Sequence, residues 1–109
     1  MNNARIQQLI RFIQDEPGDP FNVYALAMEY VADEPRQAMA CFDDLLTRFP
    51  DYLPTYYHAA ALCIALDERD RAADLYAAGI ALARQQQNQK TLNELLQAQR
   101  ALADEEDDW

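Results

Sequence analysis

The 109-residue chain has no serine, one histidine, two cysteines and two glycines. Each shortage removes a class of chemistry. Without serine there is no serine-triad hydrolysis. With Gly18 and Gly79 as the only glycines, no glycine-rich loop can cradle a phosphate. His58 precedes Cys63 by five positions, which sets the two about 140° apart on a helix. They cannot act there as base and nucleophile, and a lone histidine is no metal site without other donors nearby. Cys41 and Cys63 lack the close spacing of a redox pair or zinc knuckle, so both are expected to be reduced thiols packed as small hydrophobes. No catalytic residue, cofactor or metal ligand is expected.

Long apolar runs are missing as well. No segment approaches the roughly 18 consecutive apolar residues of a membrane span. The opening "MNNARIQQLIRF" lacks the uninterrupted apolar stretch and cleavage site of a secretory signal. A cytoplasmic location follows as the expectation. Basic residues are scarce, 9 against 19 acidic, for a net charge of −10 at pH 7. The stretch "DEEDD", Asp104 to Asp108, supplies five of these charges and leaves −5 on the body. Such a body repels phosphate backbones and anionic lipid, so neither nucleic acid nor a membrane surface is an expected partner.

What is present favours helix. Half the residues are apolar, and Ala, Leu, Gln, Glu and Arg abound, which predicts an all-α fold. Six helical segments can be marked. The first, about Asn3 to Asp15, carries Ile6, Leu9, Ile10 and Ile13 at i, i+3, i+4 and i+7. Pro17 stops it, Gly18 permits the turn, and Asp19 can cap a second helix that has Pro20 in its first position and runs to about Ala32. Asp33 or Glu34 can cap a third, opened by Pro35 and closed by Pro50, with Ala38, Phe42, Leu45, Leu46 and Phe49 on one side. A fourth runs from Leu53 or Pro54 to Leu66. The fifth, about Arg69 to Arg84, turns Ala72, Leu75, Tyr76, Gly79 and Ile80 inward. After "QQQNQK", Thr91 and Glu94 suggest a capping box that opens a last helix with Leu92, Leu95, Leu96 and Leu102.

Laid over itself, the chain repeats. Ala38, Phe42 and Pro50 match Ala72, Tyr76 and Arg84 at a spacing of 34; Val23, Ala27 and Tyr30 match Tyr56, Ala60 and Cys63 at 33. Small residues at Ala27, Ala60, Ala38, Ala72 and Gly79 allow close helix approach, and large ones fill the gaps beside them. These residues resemble the tetratricopeptide repeat (TPR), a two-helix unit of about 34 residues. The family pattern of a large residue, Leu-Gly or Leu-Ala, then Tyr, followed by Ala, an aromatic, a small residue and Pro, reads here as Val23, Leu26 and Ala27, Tyr30, Ala38, Phe42, Leu45 and Pro50. It then reads as Tyr56, Ala59 and Ala60, Cys63, Ala72, Tyr76 and Gly79. Leu45, Cys63 and Arg84 depart from it. In "DPFNVYALAMEY" the chain also resembles short stand-alone bacterial proteins of that family.

The resemblance implies a helix-turn-helix solenoid. It comprises a half-repeat helix over residues 3–16, full repeats over 20–50 and 51–84, and a capping helix over 91–103. Residues 1–103 then form one domain and 104–109 a disordered acidic tail, whose terminal Trp109 could anchor in a partner. If Tyr56 packs within its repeat, the adjacent Tyr57 turns onto the concave side lined by first helices, and so does its counterpart Tyr24. Helical spacing extends that side to Phe21, Met28 and Val31 in one repeat and to His58, Ala61 and Ile64 in the next. Such a groove suits a peptide or protein segment with apolar anchors. The last helix could instead fold over it, or a homodimer could bury it. The carboxylate clamp found in some TPR proteins needs Lys and Asn where this chain has Tyr24, Met28 and His58, so none is expected.

Overall fold

A computed structural model describes residues 2–106. Six α-helices are present among them and no strand: α1 Asn3–Asp15, α2 Pro20–Tyr30, α3 Pro35–Arg48, α4 Pro54–Ala65, α5 Arg69–Gln85 and α6 Gln89–Glu106. The one domain expected over 1–103 packs as two compact units that part between Thr55 and Tyr56.

In the first unit the helix starts follow the sequence signals. The Asn2 side chain accepts from the Arg5 N–H at 3.0 Å, and the Asp19 side chain accepts from Phe21 N–H at 3.0 Å with Pro20 beside it. Each bond satisfies a donor that a helix leaves orphaned. Glu34 occupies the N-cap of α3, yet its carboxylate makes no capping bond. The cap expected from Glu34 therefore does not form, and Pro35, with its fixed φ, stands at the first position of the helix. Gly18 is a second correction. No glycine has positive φ, and a Cβ at Gly18 would meet nothing within 4 Å. The turn therefore owes its shape to Pro17 and the Asp19 cap.

Helix α1 packs on α2, and α2 on α3. Ile6, Leu9 and Leu26 form a buried cluster with Ile10, Ile13, Ala25, Tyr30 and Cys41 against it. Ala27 and Ala38 are fully buried, as are Phe42 and Leu45. Met39, outside the expected stripe, is buried too. At the far end of α3, Arg48 holds both Asp44 oxygens at 2.8 Å and donates to the Pro17 carbonyl at 3.0 Å, fastening the α1–α2 turn.

The second unit uses the matched positions in the same way. Tyr56, Ala60 and Cys63 of α4 are buried, as are Ala72, Tyr76 and Gly79 of α5. At Gly79 the helices approach closely: a Cβ there would lie 2.7 Å from the Tyr56 Cβ and 3.2 Å from the Leu95 Cδ1. The close approach expected at this glycine thus involves α4 and α6 together. Both α4 and α5 end in a left-handed residue. Asp67 has φ 63° and Gln87 φ 57°, and the next N–H reaches back five residues: Glu68 to the Cys63 carbonyl at 2.7 Å, Asn88 to the Ala83 carbonyl at 3.0 Å. This is the Schellman ending, which favours glycine. Glutamine lacks the short side chain that eases Asp and Asn into this region. Gln87→Gly should therefore raise stability by about 0.5–1 kcal/mol, read as a higher melting temperature by circular dichroism. An unchanged or lower value counts against it.

Helix α6 corrects two expectations. It starts at Gln89, two residues before Thr91, because Asn88 is the residue whose side chain accepts from the Thr91 N–H, at 3.1 Å. Thr91 thus sits inside the first turn, and the Thr91–Glu94 capping box does not form the cap. At its other end α6 continues through Asp104 and Glu105 to Glu106, residues expected in a disordered tail. Acids at a helix C-terminus oppose the macrodipole. Here Arg69, at the start of α5, pairs with Glu105 at 2.9 Å and offsets that repulsion, while buried Leu102 anchors the preceding turn. Asp107, Asp108 and Trp109, the rest of the expected tail, lie outside the described residues.

Candidate functional site

The outward face of α2 carries Phe21, Tyr24, Met28 and Val31, opposite buried Asn22, Val23, Leu26 and Ala27. Phe21 is 52% exposed and Met28 38%, while Tyr24 and Val31 are half-buried. Positions 21, 24, 28 and 31 fall within about 80° of arc, so they make one continuous strip. Tyr24 is the most confined of the large residues. Its ring meets Tyr52 edge-on, with centroids 5.8 Å apart and planes at 62°. Burial raises the pKa of both phenols, and Tyr24 and Asp19 add to the rise at Tyr52. Tyr52 lies in the turn before α4, with its backbone N–H bonded to the Phe49 carbonyl at 3.0 Å. Sequence periodicity does not reach it, because turn residues have no helical face.

On α4, Tyr57 is 38% exposed and Ala61 is exposed, whereas Ile64 and His58 are half-buried. The Tyr57 and His58 rings meet edge-on at 5.3 Å. Burial lowers the His58 pKa and the Glu94 carboxylate of α6 works against that shift. A histidine held below its ordinary value of about 6.5 is neutral at pH 7. Within this unit α6 approaches the His58 edge of the strip and leaves Tyr57 and Ala61 open to solvent.

Phe21, Met28 and Tyr57 are three of the large apolar side chains left exposed among the described residues; Phe12, 41% exposed, is the fourth. Phe12 stands about 120° from the Ile6–Leu9–Ile10–Ile13 stripe of α1. An aromatic that far off the apolar stripe was a readable sign of exposure.

Cys41 and Cys63 are free thiols. Cys41 is pushed up to about 11 by burial and, less strongly, by Asp44, so it stays protonated and unreactive at neutral pH. Among the described residues no three His, Cys, Asp or Glu side chains are grouped to hold a metal ion, and no helix is long and apolar enough to cross a membrane.

The chain matches no protein-family model and no curated protein. It is similar to a solved structure, a solution NMR structure of a tetratricopeptide repeat domain protein from Salinibacter ruber. The identity is 45% over 79% of this chain and 88% of that one, with a TM-score of 0.75. The chain belongs to the tetratricopeptide repeat family. A crystal structure of a TPR domain protein from the same organism agrees at 44% identity, over 78% of this chain and 96% of that one, again with a TM-score of 0.75. The six helices are thus an all-α TPR fold. Tyr24 of α2 and Tyr57 of α4 stand 33 residues apart, the spacing at which Val23, Ala27 and Tyr30 match Tyr56, Ala60 and Cys63.

Proposed function

We propose that this TPR chain is a non-catalytic interaction module whose binding surface is supplied by the outward strips of α2 and α4. One observation carries the reading. The first helix of each repeat buries the residue that packs it, Val23 or Tyr56, while the next residue is a tyrosine that stays partly in solvent. Tyrosine in that setting offers a large contact area and a hydroxyl able to bond to a partner's backbone. The ligand that suits such strips is a peptide or protein segment with apolar anchors.

The test removes the exposed rings and leaves the packed ones. Phe21→Ala/Tyr57→Ala should retain the helicity and melting temperature of the wild type, since surface truncations move stability by only about 0.5 kcal/mol. A partner captured by the wild-type chain from source cells, then titrated as a purified protein, should bind the variant at least tenfold more weakly. Undiminished affinity in a folded variant overturns the reading. Sedimentation of both proteins tests the alternative occupant: a dimer that the variant loses would make the strips a self-association surface.

A further inference from the structure

In a chain with 9 basic and 19 acidic residues, helix α1 is locally basic: Arg5 and Arg11 are its only charged residues before Asp15. Both line a hollow of about 430 Å³ with Asn2, Ala4 and Gln8, and no carboxylate lines it among the described residues. Arg5 donates to the uncharged Gln8 amide oxygen at 3.3 Å. Asp15, one turn past Arg11, lines a different hollow. Gln8 and Arg11 are exposed, as is Phe12. Ala4, Arg5, Gln8, Arg11 and Phe12 fall within about 120° of arc, so the outward face of α1 sets two guanidiniums beside an aromatic ring.

The chain itself holds a segment of complementary pattern. Residues 104–109, "DEEDDW", place five acids ahead of the only tryptophan. Glu105 is taken by Arg69 at 2.9 Å. Asp104 and Glu106 lie in the last turn of α6, which has no basic residue. A helix C-terminus disfavours acids, so a cationic surface brought to this end stabilises it.

We propose that the outward face of α1 receives residues 104–109 of a second copy of this chain. Arginine forms paired N–H bonds to carboxylates, and Trp109 meeting Phe12 adds an aromatic contact. The Cα atoms of Arg5 and Arg11 stand about 9 Å apart along the helix axis, so a run of carboxylates fits them better than one small anion. Two chains of charge −10 repel each other. That field is screened beyond about 8 Å at physiological ionic strength, whereas the arginine–carboxylate pairs form in contact. The contact joins one patch to a different one, so it is heterologous and adds copies beyond two. It uses no residue of the α2 and α4 strips and stands independently of them.

The test is sedimentation of the full chain over a dilution series from about 1 μM to about 1 mM, with the emission of Trp109 recorded alongside. Mass should rise with concentration beyond that of a dimer, and the Trp109 emission should move to the blue in step. Arg5→Glu/Arg11→Glu and, separately, Asp107→Lys/Asp108→Lys should each require at least tenfold more protein to associate. An equimolar mixture of the two variants should restore association, because each then supplies the charge that the other lacks. A chain monomeric throughout, association undiminished in the folded α1 variant, or a mixture that fails to restore it overturns the proposal. So does a Trp109 shift independent of concentration, which would put the segment on its own chain. A second measurement requires no variant to fold. The hexapeptide DEEDDW, titrated into the ¹⁵N-labelled wild-type chain, should shift the amide resonances of residues 4, 5, 8, 11 and 12 saturably and at least fivefold more tightly than the uncharged NQQNNW; equal responses overturn the assignment.

Discussion

Phe42→Ala is expected to lower the unfolding free energy by about 3–5 kcal/mol, the range for truncating a fully buried phenylalanine. Phe42 has no exposed surface, and it lies in α3, which packs on α2. Its neighbours in sequence give little room for collapse. Ala38 one turn earlier and Leu45 one turn later are also fully buried, so the lost ring leaves a cavity lined by groups already in place. Against a typical domain stability of about 5–15 kcal/mol, such a loss is a large part of the whole. Urea unfolding followed by circular dichroism at 222 nm reads it directly, with Phe12→Ala as the comparison, since Phe12 is exposed and off the α1 stripe. A loss below about 1 kcal/mol for Phe42→Ala would mean that the site relaxes, and that packing at this repeat position is not what holds the first unit together.

The helices and the repeat were legible because their signals are local and redundant. Pro20 with Asp19, and Pro35 and Pro54 at their helix starts, are read from single residues, and the core of α5 from the spacing of Ala72, Leu75, Tyr76, Gly79 and Ile80. Two of the misreadings show where local rules stop. Thr91 and Asn88 are both good N-caps, and only the backbone shows that Asn88, following left-handed Gln87, makes the bond. Asp104 to Glu106 form a charge run that composition assigns to a tail. Arg69, thirty-six residues before Glu105, is invisible to any window of sequence that reads the run.

The same division runs through the candidate surfaces. Phe21, Met28 and Tyr57 could be placed in solvent from helical phase alone. That phase cannot say that Tyr24 shares its surroundings with Tyr52, which comes from a turn nearly thirty residues later. Asn22 is the clearest case. On the α2 wheel it is one polar residue near the N-terminus, unremarked beside Asp19 and Pro20. That it lines one hollow with Phe12, Asp15 and Glu16 depends on how the chain turns back through "EPGDP".

Gly79→Ala is the sharpest test of the second unit, because two effects of known sign oppose each other there. Alanine is a better helix former than glycine by about 1 kcal/mol, so an open site on α5 would be stabilised. The site is not open. The added methyl would stand 2.7 Å from the Tyr56 Cβ, 3.3 Å from its Cγ and 3.2 Å from the Leu95 Cδ1. The leucine methyl can rotate away. The Tyr56 Cβ is fixed to the α4 backbone and cannot move without the helix, and overpacking of that kind costs about 1–3 kcal/mol. A net loss of about 2 kcal/mol is expected. Gly18→Ala is the matched control: with nothing within 4 Å of its Cβ and no positive φ, it should be neutral or raise stability by up to about 1 kcal/mol through the unfolded chain. If both variants melt at or above the wild type, α4 and α5 do not need the close approach at Gly79. If only Gly79→Ala falls, the small residue that opens the second repeat to its neighbours is as necessary as the aromatic rings that fill it.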